Sequence, residues 1–158
     1  MLSNEKYYSI IETTTLTSVD LIPYYDGKIL LGFRKNKPAQ GTWFTPGCRT
    51  GKGETQKMAV ERVAKTELGL DINFNDVTLL GVYDHIYNDN FKDDLFGTHY
   101  VVTAYFLPLK ELPDIKLDEQ HDDMIWLSLK KLMQNRYVHP NVKLYMNDIK
   151  RLLTKTTT

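Results

Sequence analysis

Residues 47 to 70 decide the fold: Gly47-Cys-Arg-Thr-Gly-Lys-Gly-Glu-Thr-Gln-Lys-Met-Ala-Val-Glu-Arg-Val-Ala-Lys-Thr-Glu-Leu-Gly-Leu70. Gly47, Gly51 and Gly53 make a loop whose backbone can approach a ligand closely. From Thr55 the residues favour helix as far as a stop at Gly69. With successive residues turned by about 100°, Ala59, Val60, Val63, Ala64, Leu68 and Leu70 share one half of that helix. Glu61, Arg62, Lys65 and Thr66 take the other half.

Glu67 breaks this division, because it falls in the middle of the apolar half. An ionised carboxylate buried there without compensation costs several kcal/mol, so the position calls for a cation. Either an internal Glu-Arg pair or a bound metal ion satisfies it.

Gly47, Glu54, Arg62, Glu67 and Gly69 stand at the spacing of the Nudix box, and on these residues the chain resembles the Nudix hydrolases. The match has gaps. Where the usual box carries three helix carboxylates for metal, this chain has Val63, Thr66 and Glu67, and Cys48 replaces a loop glycine. The stretch from Arg34 to Gly47, Arg-Lys-Asn-Lys-Pro-Ala-Gln-Gly-Thr-Trp-Phe-Thr-Pro-Gly, and the run Glu119-Gln-His-Asp-Asp123 are similar to the GDP-mannose mannosyl hydrolase branch of that family. This resemblance implies an α+β fold, the Nudix α/β/α sandwich. A mixed sheet would carry the loop-helix motif on one side and a C-terminal helix on the other.

Composition agrees with one domain spanning residues 1–158, with a disordered tail from about Thr154. Net charge is zero with 25% charged residues, which lacks the basic face of a general nucleic-acid binder. No run of about twenty apolar residues occurs, and Asn4-Glu-Lys6 does not open a signal peptide. The expectation is a cytoplasmic protein without membrane or nucleic-acid partners. A lone Cys48 leaves no internal disulfide.

Taken in order, Asn4 caps a short helix to about Ile11, and β-branched residues from Thr13 to Tyr25 predict a strand. Asp26-Gly27 turns that strand into a second, Lys28 to Arg34. Asp20 lies inside the first strand, where carboxylates are depleted, and Arg34 ends the second. A cross-strand pair between them is one reading. Val77 to Tyr87 and His99 to Leu107 predict a hairpin with the long polar tip Asn88 to Gly97. Leu117 to Asp123 is a polar loop, solvated on composition alone. A short helix follows to about Gln134, then a closing helix over Asn141 to Leu153.

The resemblance assigns roles beyond these elements. Mg²⁺, or Mn²⁺ in its place, would be held by Glu67, the Gln120 amide oxygen and the Gly47 carbonyl. His121 would be the general base, its pKa raised by the neighbouring acids. Arg34, Arg49 and Tyr100 would meet the diphosphate of a GDP-sugar. Asp20 would meet the sugar, and Leu2, Tyr7, His85 and Tyr87 would line the substrate. The implied reaction is water attack at the anomeric carbon with inversion, giving GDP and free mannose or glucose, in a homodimer. Two other readings stay open: a pyrophosphohydrolase attacking phosphorus, and a non-catalytic nucleotide-sugar-binding module.

Overall fold

A computed structural model describes residues 2–115 and 121–156, without the side chains of His121, Asp122 and Thr156. Its elements run α1 (Asn4–Thr13), β1 (Leu16–Tyr25), β2 (Lys28–Arg34), β3 (Trp43–Phe44), β4 (Gly47–Arg49), α2 (Gln56–Leu68), β5 (Thr78–Tyr87), β6 (Thr98–Pro108), β7 (His121–Ser128), α3 (Leu129–Gln134), α4 (Pro140–Lys143) and α5 (Met146–Thr156). A 3₁₀ turn, Phe74–Asp76, leads into β5. None of the described helices is long and apolar enough to cross a membrane.

The sheet is mixed, in the order β3-β2-β1-β6-β5, with β4 added to β1 and β7 to β2. β1 runs parallel to β6 from Leu16↔Tyr100 to Tyr24↔Pro108, while the other pairs are antiparallel. The Asp26-Gly27 turn forms as the sequence dictates, both residues at positive φ. Beyond Tyr24↔Ile29 the two strands part, and β1 takes β4 as its partner while β2 takes β3. That parting opens a wedge between Asp20 on β1 and Arg34 on β2.

Alternation along β1 feeds two cores. Val19 and Leu21 pack with Leu30, Tyr105 and the α2 residues Ala59, Val60, Val63, Ala64 and Leu68. Ile22 packs with Ile29, Leu31 and Phe106 against Leu132, Val142, Tyr145, Met146 and Ile149 from the C-terminal helices. Helices therefore cover both faces, and the α+β Nudix-type sandwich expected from the sequence is the observed fold. α2 begins at Thr55, whose side chain caps Met58 N at 3.2 Å, and ends at Gly69 in the left-handed conformation.

Several boundaries differ from expectation. Ser3 caps α1, and the helix continues to Thr13, whose hydroxyl turns back to Ser9 O at 2.8 Å. The helix docks on the tip of the β5–β6 hairpin: Tyr8 donates to Asp93 Oδ2 at 2.7 Å and its ring meets Phe96 at 4.6 Å. His121 to Asp123 lie on β7 rather than in a loop, because β2 offers that segment an open edge. The closing helix is broken at Leu144–Tyr145 into α4 and α5, and helix continues to Thr156 where a disordered tail was expected. Thr154 donates to Lys150 O at 2.8 Å within that extension.

Candidate active site

The wedge between β1 and β2 holds a cleft of about 360 Å³. It gathers Tyr7, Asp20, Arg34, Gly47, Arg49, His85, Tyr87 and Tyr100, residues that the sequence singles out from six separate elements. Leu2 precedes α1 and does not line it. Gln120 lies outside the described residues, as does the side chain of His121; the His121 backbone pairs with Arg34 across β2–β7, beside the cleft.

Each wall has a local cause. Arg34 is aimed by the loop that follows it, its Nε donating to Pro38 O at 2.9 Å. Arg49 stands 5.2 Å over the Tyr7 ring, and the Phe91 ring stacks on Tyr7 at 5.1 Å. Phe91 belongs to the hairpin tip, braced by the fully buried Asn90. The Asn90 side chain donates to Asp93 Oδ1 and Phe96 O and accepts from the backbone of Lys92 and Asp93. The Tyr7 and Tyr100 hydroxyls share a short hydrogen bond, and burial drives the Tyr100 pKa upward. With Lys37 also at the rim, the mouth is cationic and suits an anion.

Asp20 is 5% exposed and lies at the cleft floor. In place of a cross-strand pair with Arg34, Asp20 takes hydrogen bonds from Thr45 Oγ1 (2.8 Å) and Tyr145 OH (2.6 Å), both to Oδ2, while Arg34 acts on it through its charge. β1 and β2 have already separated at this level, so the two side chains no longer face each other across a ladder. Burial pushes the Asp20 pKa up to about 6, against the opposing pull of Tyr145, Thr45 and Arg34. Gly47 opposite cannot be another residue, since a Cβ would stand 2.1 Å from Asp20 Oδ1. Behind Asp20, the His85 ring is packed edge-on to Phe44 at 5.8 Å and held neutral, its pKa pushed down to about 4 by burial.

Glu67 does not line the cleft; it is 7% exposed beneath β4, near enough to Cys48 for its charge to act on the thiol. Arg62, the arginine of its own helix, is clasped instead by Glu54, Nε to Oε2 at 2.6 Å and Nη2 to Oε1 at 2.8 Å. Arg62 also donates to Arg49 O at 2.9 Å, and Glu54 receives Gly51 N at 3.0 Å, so this pair braces the glycine loop. Val63 is fully buried in the core and Thr66 bonds its hydroxyl to Arg62 O.

Among the described residues no group of three His, Cys, Asp or Glu side chains is arranged to hold a metal. The donors that remain are hard ones. Burial pushes the Cys48 thiol up to about 11, and the donors that the resemblance names at Glu67, Gln120 and Gly47 are all oxygen. That set fits Mg²⁺ or Mn²⁺, which tolerate few protein ligands when phosphate and water complete the shell.

Tyr145, Thr45 and Phe91 belong to the site and are missed by sequence reasoning. Phe91 has a signal, an aromatic ring in a polar tip; Tyr145 has none, because its helical spacing marks it as core and its contact to Asp20 spans 125 residues.

The NUDIX domain model matches residues 14–147 of the chain. The low-salt glycan biosynthesis protein Agl8 of Haloferax volcanii is 33% identical over 148 residues, covering 92% of this chain and 89% of that protein. An ADP-ribose pyrophosphatase of Methanocaldococcus jannaschii is 34% identical over 125 residues, 69% of this chain and 73% of that one. Among solved structures, the MutT NUDIX hydrolase of Burkholderia pseudomallei superposes with a TM-score of 0.70 at 26% identity, covering 86% of this chain and 98% of that one.

Proposed function

The chain belongs to the NUDIX domain family, and on that premise we propose that it hydrolyses a GDP-sugar, GDP-mannose or GDP-glucose, to GDP and the free sugar. The observation that carries this reading is the helix α2. At the positions where the usual box has carboxylates, Val63 is core and the Thr66 hydroxyl bonds its own helix, which leaves Glu67 as the acid on the inner face. One carboxylate suits neutralising a leaving diphosphate better than generating a nucleophile at phosphorus.

When bound by Glu67, Gln120 and the Gly47 carbonyl, a divalent cation supplies charge neutralisation for the departing GDP. The rest falls to side chains. Arg34 and Arg49 hold phosphate oxygens with planar donor forks, and Tyr100 adds a hydroxyl donor. His121 takes the proton from the attacking water. Asp20 meets the sugar, through its hydroxyls or the positive charge that develops at the anomeric carbon. A diphosphate leaves as a stable anion, so no general acid has to protonate it, unlike the alkoxide of most glycosidases. Single displacement inverts the anomeric centre.

The test is hydrolysis of a panel of GDP- and UDP-sugars with Mg²⁺ in ¹⁸O water, with both products identified. Label on the sugar carbon and an inverted first anomer by proton NMR are expected; label on phosphate overturns the reading. That second outcome would select a pyrophosphohydrolase, the activity named for the M. jannaschii relative. Tight GDP-sugar binding with no turnover would select a binding module. A homodimer is part of the proposal, supported by the exposed Leu79, Val82 and Ile86 on the edge strand β5. Sedimentation of a monomer would refute it.

A further inference from the structure

Tyr145 occupies the break between α4 and α5, fully buried, and its ring is fixed edge-on to Tyr83 at 4.7 Å. Its hydroxyl lies 2.6 Å from Asp20 Oδ2 and 3.1 Å from His85 Nε2. A phenol has one proton. A buried carboxylate accepts only, so that proton points to Asp20 and the phenol oxygen accepts from His85 Nε2–H. Thr45 donates to the same Oδ2 at 2.8 Å. Both donors therefore hold one oxygen of Asp20, and Oδ1 stands on the Gly47 side of the cleft, where only a residue lacking Cβ leaves it room.

We propose that Tyr145 is a positioning residue for the cleavage step: with His85 behind it and Thr45 beside it, it fixes the Asp20 carboxylate so that Oδ1 alone is offered to the substrate. A carboxylate on a single methylene rotates unless something holds one of its oxygens, and a loosely placed group loses rate without losing substrate affinity. The arginines that bind the diphosphate are on other elements and would be untouched. The inference rests on the reading of Asp20 as the group that meets the sugar, and it adds a long-range support from the C-terminal segment.

Tyr145→Phe keeps the ring in its packing and removes only the hydroxyl. In the full chain with Mg²⁺ and GDP-mannose, kcat should fall about tenfold with KM within about twofold. In an Asp20→Asn background the same change should cost under about twofold, because the group it positions is gone. Thr45→Val, which removes the other donor, should act in the same direction as a second variant. A wild-type kcat in both variants, or an undiminished tenfold cost in the Asp20→Asn background, overturns the inference. A crystal structure of Tyr145→Phe separates this from the reaction itself. Rotation of the Asp20 carboxylate supports the positioning role even if the wild-type chain cleaves no GDP-sugar, and an unmoved carboxylate refutes it whatever the activity.

Discussion

Glu54 and Asp20 are both acids held by neighbours within hydrogen-bonding distance, yet their surroundings act on them in opposite senses. Glu54 faces a guanidinium fork and a backbone N–H, and its pKa is drawn down to about 2, led by the Arg62 hydrogen bond. Asp20 is met by two hydroxyls in a buried floor, and burial drives its pKa up to about 6. The first arrangement stabilises the fold with ordinary ion pairing. The second keeps a charge where folding alone would not place one, which agrees with the role proposed for Asp20 at the sugar. Glu67 stands between these extremes, buried like Asp20 but on the face of the sheet that carries Glu54.

The largest change should come from that intermediate case. Glu67→Gln keeps size and one acceptor oxygen while removing the charge proposed to hold a divalent cation. Turnover of GDP-sugar should drop by about a thousandfold, with a steep rise in the Mg²⁺ concentration needed for what remains. A Mg²⁺ titration of the variant checks this. If Glu67→Gln matches wild type at every concentration, Glu67 is structural and belongs with Glu54.

Asp20→Asn should cost about a hundredfold in kcat and, unlike most core changes, raise stability at neutral pH. The sign follows from linkage. Asp20 has a folded pKa above its ordinary 3.8, so its favourable contribution is complete below about pH 4 and is lost as pH rises through about 6. Two pK units correspond to at most about 3 kcal/mol. Thermal melts should therefore show Asp20→Asn above wild type at pH 7.5 and level with it at pH 4. A variant that melts lower at pH 7.5 would mean that the hydroxyls more than offset the burial.

The same contrast explains which parts were legible in the sequence. The Glu54–Arg62 pair joins residues eight apart inside one motif, and α2 announces itself by apolar spacing, a threonine cap and a glycine stop. Both hairpins follow from turn residues and β-branched runs. The Asp20 floor is assembled from Thr45 and Tyr145, 25 and 125 residues away, and no periodicity distinguishes a tyrosine that packs from one that also donates to a carboxylate. Asp20 is conspicuous as an acid in a strand, but its partners are not. The boundary at His121 differs because a tertiary partner, the open edge of β2, extends the strand beyond local preference.

The smallest effect should be at Glu54 itself, and it completes the contrast with Asp20. Glu54→Gln retains one acceptor for Arg62 and loses the charge, so the cost at pH 7 should be about 1 kcal/mol, appropriate to a partly exposed pair. Here the folded pKa lies below the ordinary 4.5, so the stabilisation is present above about pH 4.5 and fades as pH falls through about 2. Urea unfolding of wild type and variant should converge at pH 2 and separate at pH 7 with the variant less stable, opposite in sign to Asp20→Asn. Arg62 also holds the Arg49 carbonyl, so loosening it should raise KM about threefold while leaving kcat nearly unchanged. A gap of the same size at both pH values would show that Glu54 acts through shape and hydrogen bonding, and would remove charge as the distinction between the two faces.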